Sequence, residues 1–158
     1  MSDNRKPAIR FKGFDDDWEQ RKCKAVAPLQ RGFDLPISQM VEGEYPVVMS
    51  NGIGGYHNEY RVKGPGVITG RSGTIGKIQY IESDYWPHNT ALWVTDFKNN
   101  YPQFIFYLYM NLDLSRFGTG SGVPTLNRND VHDALVYVPN LDEQKKLAAY
   151  FNSIDHLI

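Results

Sequence analysis

The sequence predicts a mixed α/β domain of the α+β kind, with a largely antiparallel sheet, packed helices and a closing C-terminal helix. Three observations carry that prediction. In residues 66–94, short β-branched and apolar runs alternate with Gly, Ser and Asp turn residues, the pattern of consecutive strands. Residues 101–114, YPQFIFYLYMNLDL, are apolar around most of a helical circumference, with Pro102 at the first position. After Pro139, Asn140 followed by Glu143 gives a capping-box start to a final helix.

In chain order, residues 1–17 are polar and hold Pro7 and the run Asp15-Asp16-Asp17, which predicts a loosely held arm leading into Trp18. Three adjacent carboxylates point in different directions, so the run reads as a turn or helix cap rather than a metal site. Residues 25–32 pass from apolar to polar and lead into Arg31-Gly32-Phe33. Residues 35–44 read as a loop punctuated by Pro36 and Gly43, with room for a helical turn at 37–41. YPVVMS at 45–50 reads as a strand, NGIGG at 51–55 as a glycine-rich turn, and YHNEYR at 56–61 as a polar-aromatic run. Val67-Ile68-Thr69 opens the central stretch, residues 70–73 form a turn, 74–81 a second strand and 90–95 a third apolar run. Gly70, Gly73 and Gly76 suit hairpin geometry. Residues 116–122, RFGTGSG, form a flexible polar loop. Residues 127–133 form a polar turn or short helix, and 134–138 a strand stopped by Pro139. Leu147, Phe151, Ile154 and Ile158 then recur at spacings of four, three and four; a core stripe and a coiled-coil seam look alike over so few turns.

At 158 residues the chain has the size of one domain, and 41% hydrophobic with 22% charged residues is globular rather than disordered composition. Cys23 is the only cysteine, which excludes an intramolecular disulfide and suits a reducing compartment. With no signal-peptide pattern and no membrane-length apolar run, a soluble, cytoplasmic protein is expected. The net charge of −1 hides an asymmetry: residues 1–80 carry +3 and residues 81–158 carry −4. Arg21, Lys22, Lys24, Arg31, Arg61, Lys63, Arg71 and Lys77 lie in the basic half. Charge alone leaves open whether they form one face or an evenly solvated surface.

Catalytic signatures are missing. His57, His88, His132 and His156 show no zinc spacing with one another or with Cys23, and there is no Gly-x-Ser-x-Gly elbow. Gly73-Thr74-Ile75-Gly76-Lys77 lacks the spacing of a nucleotide-binding P-loop. No catalytic residue, metal site or cofactor is therefore expected. Asn51, Tyr56, His57, Asn58 and Arg61 do form a cluster rich in hydrogen-bonding groups. Asn suits adenine and Arg suits guanine in a major groove, and a solvated turn is the bland alternative.

Three motifs, DDDWEQRK around Trp18, GRSGTIGK with WPHNTALWV in the central stretch, and VPTLNRNDVHDALVYVPNLDEQKKLAAYFNSIDHLI at the end, occur in an order that covers nearly the whole chain. Together they resemble the target-recognition domain of the specificity subunit of type I restriction-modification enzymes. The resemblance implies a non-catalytic reader that binds one half of a split duplex site by loops. Partner modification subunits would methylate adenine with S-adenosylmethionine, and restriction subunits would translocate and cut with ATP and Mg. It implies a recognition domain at 1–139 and, at 140–158, the start of a spacer or dimerisation helix whose partner face holds Leu147, Phe151, Ile154 and Ile158. Partners would then include a second recognition domain or a second copy of this chain. The chain would be one domain of a longer subunit or a natural half-subunit; the sequence leaves both open.

The DNA face that the resemblance implies comprises Arg31, Asn51, Tyr56, Asn58, Arg61, Lys63, Arg71, Ser72, Thr74, Lys77, Arg116, Thr119 and Ser121. Lys63, Lys77 and Arg116 are expected on phosphates, and the loops at 51–61 and 71–72 on bases. Trp86 is expected to pack rather than stack on bases. A protein-interaction module using the last helix, and a small hydrolase or nucleotide-binding enzyme using the glycine loops, are the rival classes.

Overall fold

The structure, a computed structural model, describes residues 5–120 and 122–156. Strand β1 (Glu19–Lys22) leads into a single turn of helix, α1 (Cys23–Val26), and β2 (Leu29–Arg31). A 3-10 turn (Ile37–Gln39) precedes β3 (Glu42–Met49) and β4 (Gly52–His57). The central stretch gives β5 (Gly66–Gly70), β6 (Ile78–Ile81), β7 (Trp86–Pro87) and β8 (Ala91–Val94). Helix α2 (Pro102–Leu112), the short pair β9 (Gly118–Thr119) and β10 (Thr125–Leu126), α3 (Arg128–His132), β11 (Leu135–Val138) and α4 (Leu141–Asp155) complete the chain.

Among the described residues the strands form four small sheets. The main one has the order β2-β8-β5-β6 and is antiparallel throughout. All five residues of β5 are buried. That position suits Val67, Ile68 and Thr69, whose branched side chains pack well on a pleated surface covered on both faces. A second sheet, β4-β3-β7, pairs β3 antiparallel to β4 and parallel to β7. β1 closes on β11, tying the start of the domain to its end.

The main core joins α1, β2, β5, β8, α2, α3, β11 and α4 through Val26, Leu29, Val67, Leu92, Ile105, Tyr109, Val131, Val136 and Ala148. A smaller cluster of Val48, Ile68, Tyr85 and Ala91 lies between the two larger sheets. Trp86 is buried with Val47 and Leu35, and its Nε1 donates to the Phe33 carbonyl at 3.0 Å.

Three local expectations are corrected. Residues 74–77 do not join the second strand of the central stretch, because Gly73 and Gly76 take left-handed φ values of 89° and 100° and bend the chain into a loop. Residues 51–55 are not a turn. Gly52–His57 forms β4, with Val48 opposite Ile53 and Val47 opposite Gly55, so only Ser50 and Asn51 turn the chain. The glycines admit side chains there: a Cβ on Gly54 would overlap the Met49 sulfur.

The third correction concerns the arm. Its described part is anchored: Arg10 donates to the Glu143 carboxylate from Nη2 at 2.6 Å and Nε at 3.1 Å, and Trp18 Nε1 donates to it at 3.2 Å. Glu143, whose side chain is 1% exposed, therefore does not close the predicted capping box. The capping half that forms is Asn140 Oδ1 accepting from the Glu143 N–H at 2.9 Å. Among the described residues no helix is long and apolar enough to cross a membrane, and no group of acids, histidines and cysteines suits a metal ion.

Candidate nucleic-acid interface

Three segments far apart in sequence meet at one edge of the fold. The β3–β4 turn carries Asn51; Lys77, at the end of the 71–77 loop, donates from Nζ to the Asn51 carbonyl at 2.8 Å. The beginning of the same loop is stitched to the 118–126 segment. Gly73 N donates to Pro124 O at 3.1 Å, Leu126 N donates to Arg71 O at 2.8 Å, and Ser72 bridges Thr125. Thr119 hydroxyl donates to Thr125 O at 3.4 Å. Gly70 makes this loop possible, since a Cβ there would overlap the Thr74 carbonyl oxygen. Asn51, Ser72, Thr74, Lys77 and Thr119 are thus brought together. Ser121 lies outside the described residues.

Arg71 is half-buried. Its N–H donates to Thr90 O at 2.8 Å and its side-chain Nε donates to Asn89 O at 2.9 Å, which fixes the guanidinium against the β7–β8 connection. It lines a cleft of about 660 Å³ together with Gln30, Arg31, Phe33, Asn127 and Arg128. Burial and the neighbouring Arg31 charge lower the Arg71 pKa, against a smaller opposing pull from Asp34. Arg31 is exposed and pairs with Asp34 at 3.4 Å. Phe33, at the cleft, carries Arg61 on its ring face at 4.2 Å, with the Trp86 ring at 5.4 Å.

Two histidines brace this region. His132 Nε2 accepts the Leu29 N–H at 2.9 Å, linking α3 to β2. Burial lowers the His132 pKa, aided by the charges of Arg128 and Lys24. His88 Nδ1 lies 3.0 Å from the Thr90 hydroxyl, and burial lowers its pKa too.

The β3–β4 hairpin presents a second exposed surface. Asn51, Tyr56, Asn58, Arg61 and Lys63 are exposed along it and just beyond, with β4 at the sheet edge. The Asn58 backbone is locked by its N–H to Val41 O at 2.9 Å. Arg116 is exposed and stacks on Phe117 at 4.5 Å.

The geometry bears comparison with known proteins. The family model described as "Type I restriction modification DNA specificity domain" matches residues 15–158. The chain belongs to this family. It is 21% identical over 155 residues to the Type I restriction enzyme EcoprrI specificity subunit of Escherichia coli, covering 94% of this chain and 39% of that protein. The type I restriction-modification S subunit from M. genitalium shares its fold with a TM-score of 0.77 at 14% identity, over 92% of this chain and 40% of the other. The HsdS subunit from Thermoanaerobacter tengcongensis matches with a TM-score of 0.68 at 12% identity, over 96% and 40%. The specificity domain described here therefore spans about two-fifths of the length of these relatives.

Within this specificity domain the last helix packs on its own chain. Leu147 is half-buried against the main core, and the Phe151 ring lies 5.3 Å from that of Tyr107 on α2. These two face α2 with Trp18 across a shallow apolar groove, while Ile154 is 37% exposed and Ile158 lies outside the described residues.

Sequence reasoning missed Arg128 and Phe33. Arg128 follows Asn127, whose side chain accepts from Asn129 N at 2.9 Å; the Asn-first helix start is visible in sequence, but the cleft it faces is not. Nothing in the sequence marks Phe33 as a platform for Arg61, because the contact is made between the segments that follow β2 and β4.

Proposed function

We propose that this specificity domain binds duplex DNA and reads one half of a split target, delivering adenine methylation and cleavage to other subunits and carrying no catalytic group itself. The observation that carries this reading is the convergence of Asn51, Ser72, Thr74, Lys77 and Thr119 at one edge, next to a cleft lined by arginines. Polar groups on fixed loops can reach base edges, and cations beside them hold the backbone. A β-ribbon fits a major groove, and the β3–β4 hairpin, whose β4 is the edge strand of its three-stranded sheet, offers its turn and outer strand to one. Exposed Glu42 and Glu44 lie on the hairpin, and exposed Glu59 lies just beyond it with Arg61. Carboxylates repel phosphate but accept from cytosine amino groups, so the hairpin suits base edges, with Asn51, Tyr56, Asn58 and Arg61 as its readers. Lys63, Lys77 and Arg116 serve phosphates.

Residues 1–139 act as the recognition unit and residues 140–158 begin a helix that leads toward a second such unit. The modification subunits would use S-adenosylmethionine, the restriction subunits ATP and Mg, and the assembly would work in the cytoplasm. The test is selection from a randomised duplex library by the chain, with and without a modification subunit. Enrichment of a motif of a few base pairs supports the reading. Motif-free binding that disappears as salt rises, in both cases, contradicts it.

A further inference from the structure

We propose that Arg31, Arg71 and Arg128 form a clamp that takes one backbone phosphate of the duplex without reading its sequence. The proposal rests on the DNA-binding reading above and divides its labour. Three guanidinium groups from separate elements, the end of β2, the loop after β5 and the first residue of α3, line one cleft. Asp34 is the carboxylate that lines it, and it pairs with Arg31 at the solvent edge. Among the described residues, no carboxylate lies within ion-pair distance of Arg71 or Arg128.

Arg71 is pre-positioned, and the exposed Arg128 is tethered by one long contact. Arg71 is held at Nε by Asn89 O at 2.9 Å, and Arg128 Nη1 donates to Leu29 O at 3.4 Å. Each is tied by one nitrogen and keeps further N–H donors for a ligand. The like charges disfavour one another, as the effect of Arg31 on Arg71 shows. An anion relieves that repulsion and a neutral base edge does not. Planar guanidinium forks match phosphate oxygens, and charge-assisted bonds of this kind are the stronger ones. A guanine contact instead needs a side chain that projects into the groove, whereas Arg71 is half-buried and fixed at Nε within a cleft. Arg71 thus moves from the base-reading set to the backbone set.

The cleft's position fits a phosphate of the same duplex. Phe33 at its wall carries Arg61, and Thr125 at its wall bridges to Ser72. A strand whose phosphate enters the clamp would run on to the hairpin and the loop edge.

The experiment compares wild type with Arg31→Gln and Arg128→Gln, singly and together, in the state in which wild type selects a motif. Binding to the enriched duplex and to a scrambled duplex is measured across a salt series. Each single variant should lose affinity for both duplexes alike, and the double variant should lose roughly five- to tenfold at 0.1 M salt, with a log–log salt slope shallower by up to about 0.9, the singles falling between it and wild type. The selected motif should be unchanged. Arg31 is exposed, so its replacement leaves the fold intact and gives a reading even if the Arg128 variant unfolds. Wild-type binding with unaltered slopes in the variants would overturn the clamp alone. A shifted motif would make these arginines base readers and overturn it equally. Failure of wild type to bind either duplex in either state would remove the DNA-binding reading itself, and the clamp with it.

Discussion

Gln144 offers a sharp test of how the last helix is built into the domain. Its side chain is 2% exposed and is satisfied at both ends of the amide. Oε1 accepts the Tyr101 N–H at 2.8 Å, while Nε2 donates to Asn100 Oδ1 at 2.9 Å and to Pro139 O at 3.0 Å. One residue therefore joins the start of α4, the start of α2 and the end of β11. Gln144→Leu keeps the approximate volume and removes all three bonds. Pro139 is buried, so its carbonyl is left without a partner, at a cost of about 1–3 kcal/mol. Tyr101 and Asn100 are half-buried and can regain water, which limits each loss to about 0.5–1.5 kcal/mol. The substitution should thus destabilise by roughly 2–6 kcal/mol, lowering Tm by about 2–4 °C for each kcal/mol in a chain of this size. Urea unfolding by circular dichroism measures it, with exposed Lys145→Ala as a control expected within about 0.5 kcal/mol of wild type. A Gln144→Leu chain as stable as that control would refute the account of α4 as an integral part of the domain.

Other consequences follow from the loop and the histidines. Gly70→Ala should destabilise by about 1–3 kcal/mol through overlap with the Thr74 carbonyl, and should also impair DNA binding because the 71–77 loop must shift; equal melting temperature and affinity would contradict it. His88 and His132 both titrate below their ordinary value of 6.5 in the folded chain. The unfolded chain then binds more protons in the window just below pH 6.5, so their contribution is complete above that pH and is lost as pH falls through the lowered folded values. Urea midpoints at pH 7.5, 6.5 and 5.5 should decline more steeply for wild type than for a His88→Asn, His132→Gln chain; identical pH profiles would refute this.

The main elements were legible because they depend on local pattern. The β-branched run at Val67-Ile68-Thr69, Pro102 opening an apolar helix, and Asn140 capping α4 each state their role in a few neighbouring residues. The hairpin was blurred because NGIGG has turn composition, while its glycines serve to make room for Met49 and Met40 against an extended strand. Glu143 and Gln144 look like ordinary helix-start residues in sequence; their partners Arg10, Trp18, Asn100 and Tyr101 are set by tertiary packing that no spacing reveals. The interface divides in the same way. Polar loop residues around Asn51 and Arg71 announce themselves by type, whereas the meeting of Arg31, Arg71 and Arg128 depends on β2 pairing with β8 and on His132 holding α3 to β2.

The central claim is that bases are read from the β3–β4 hairpin while the arginine cleft holds the backbone. Duplex selection with an Asn51→Ala, Asn58→Ala chain, run beside wild type, tests it most directly. Both side chains are exposed, so the fold should persist. The account predicts that wild type enriches a short motif and that the variant loses or relaxes it, at a cost of roughly 1–3 kcal/mol per contacted base, while non-specific affinity and its salt slope persist. Enrichment of the same motif with the same strength by both chains would contradict it.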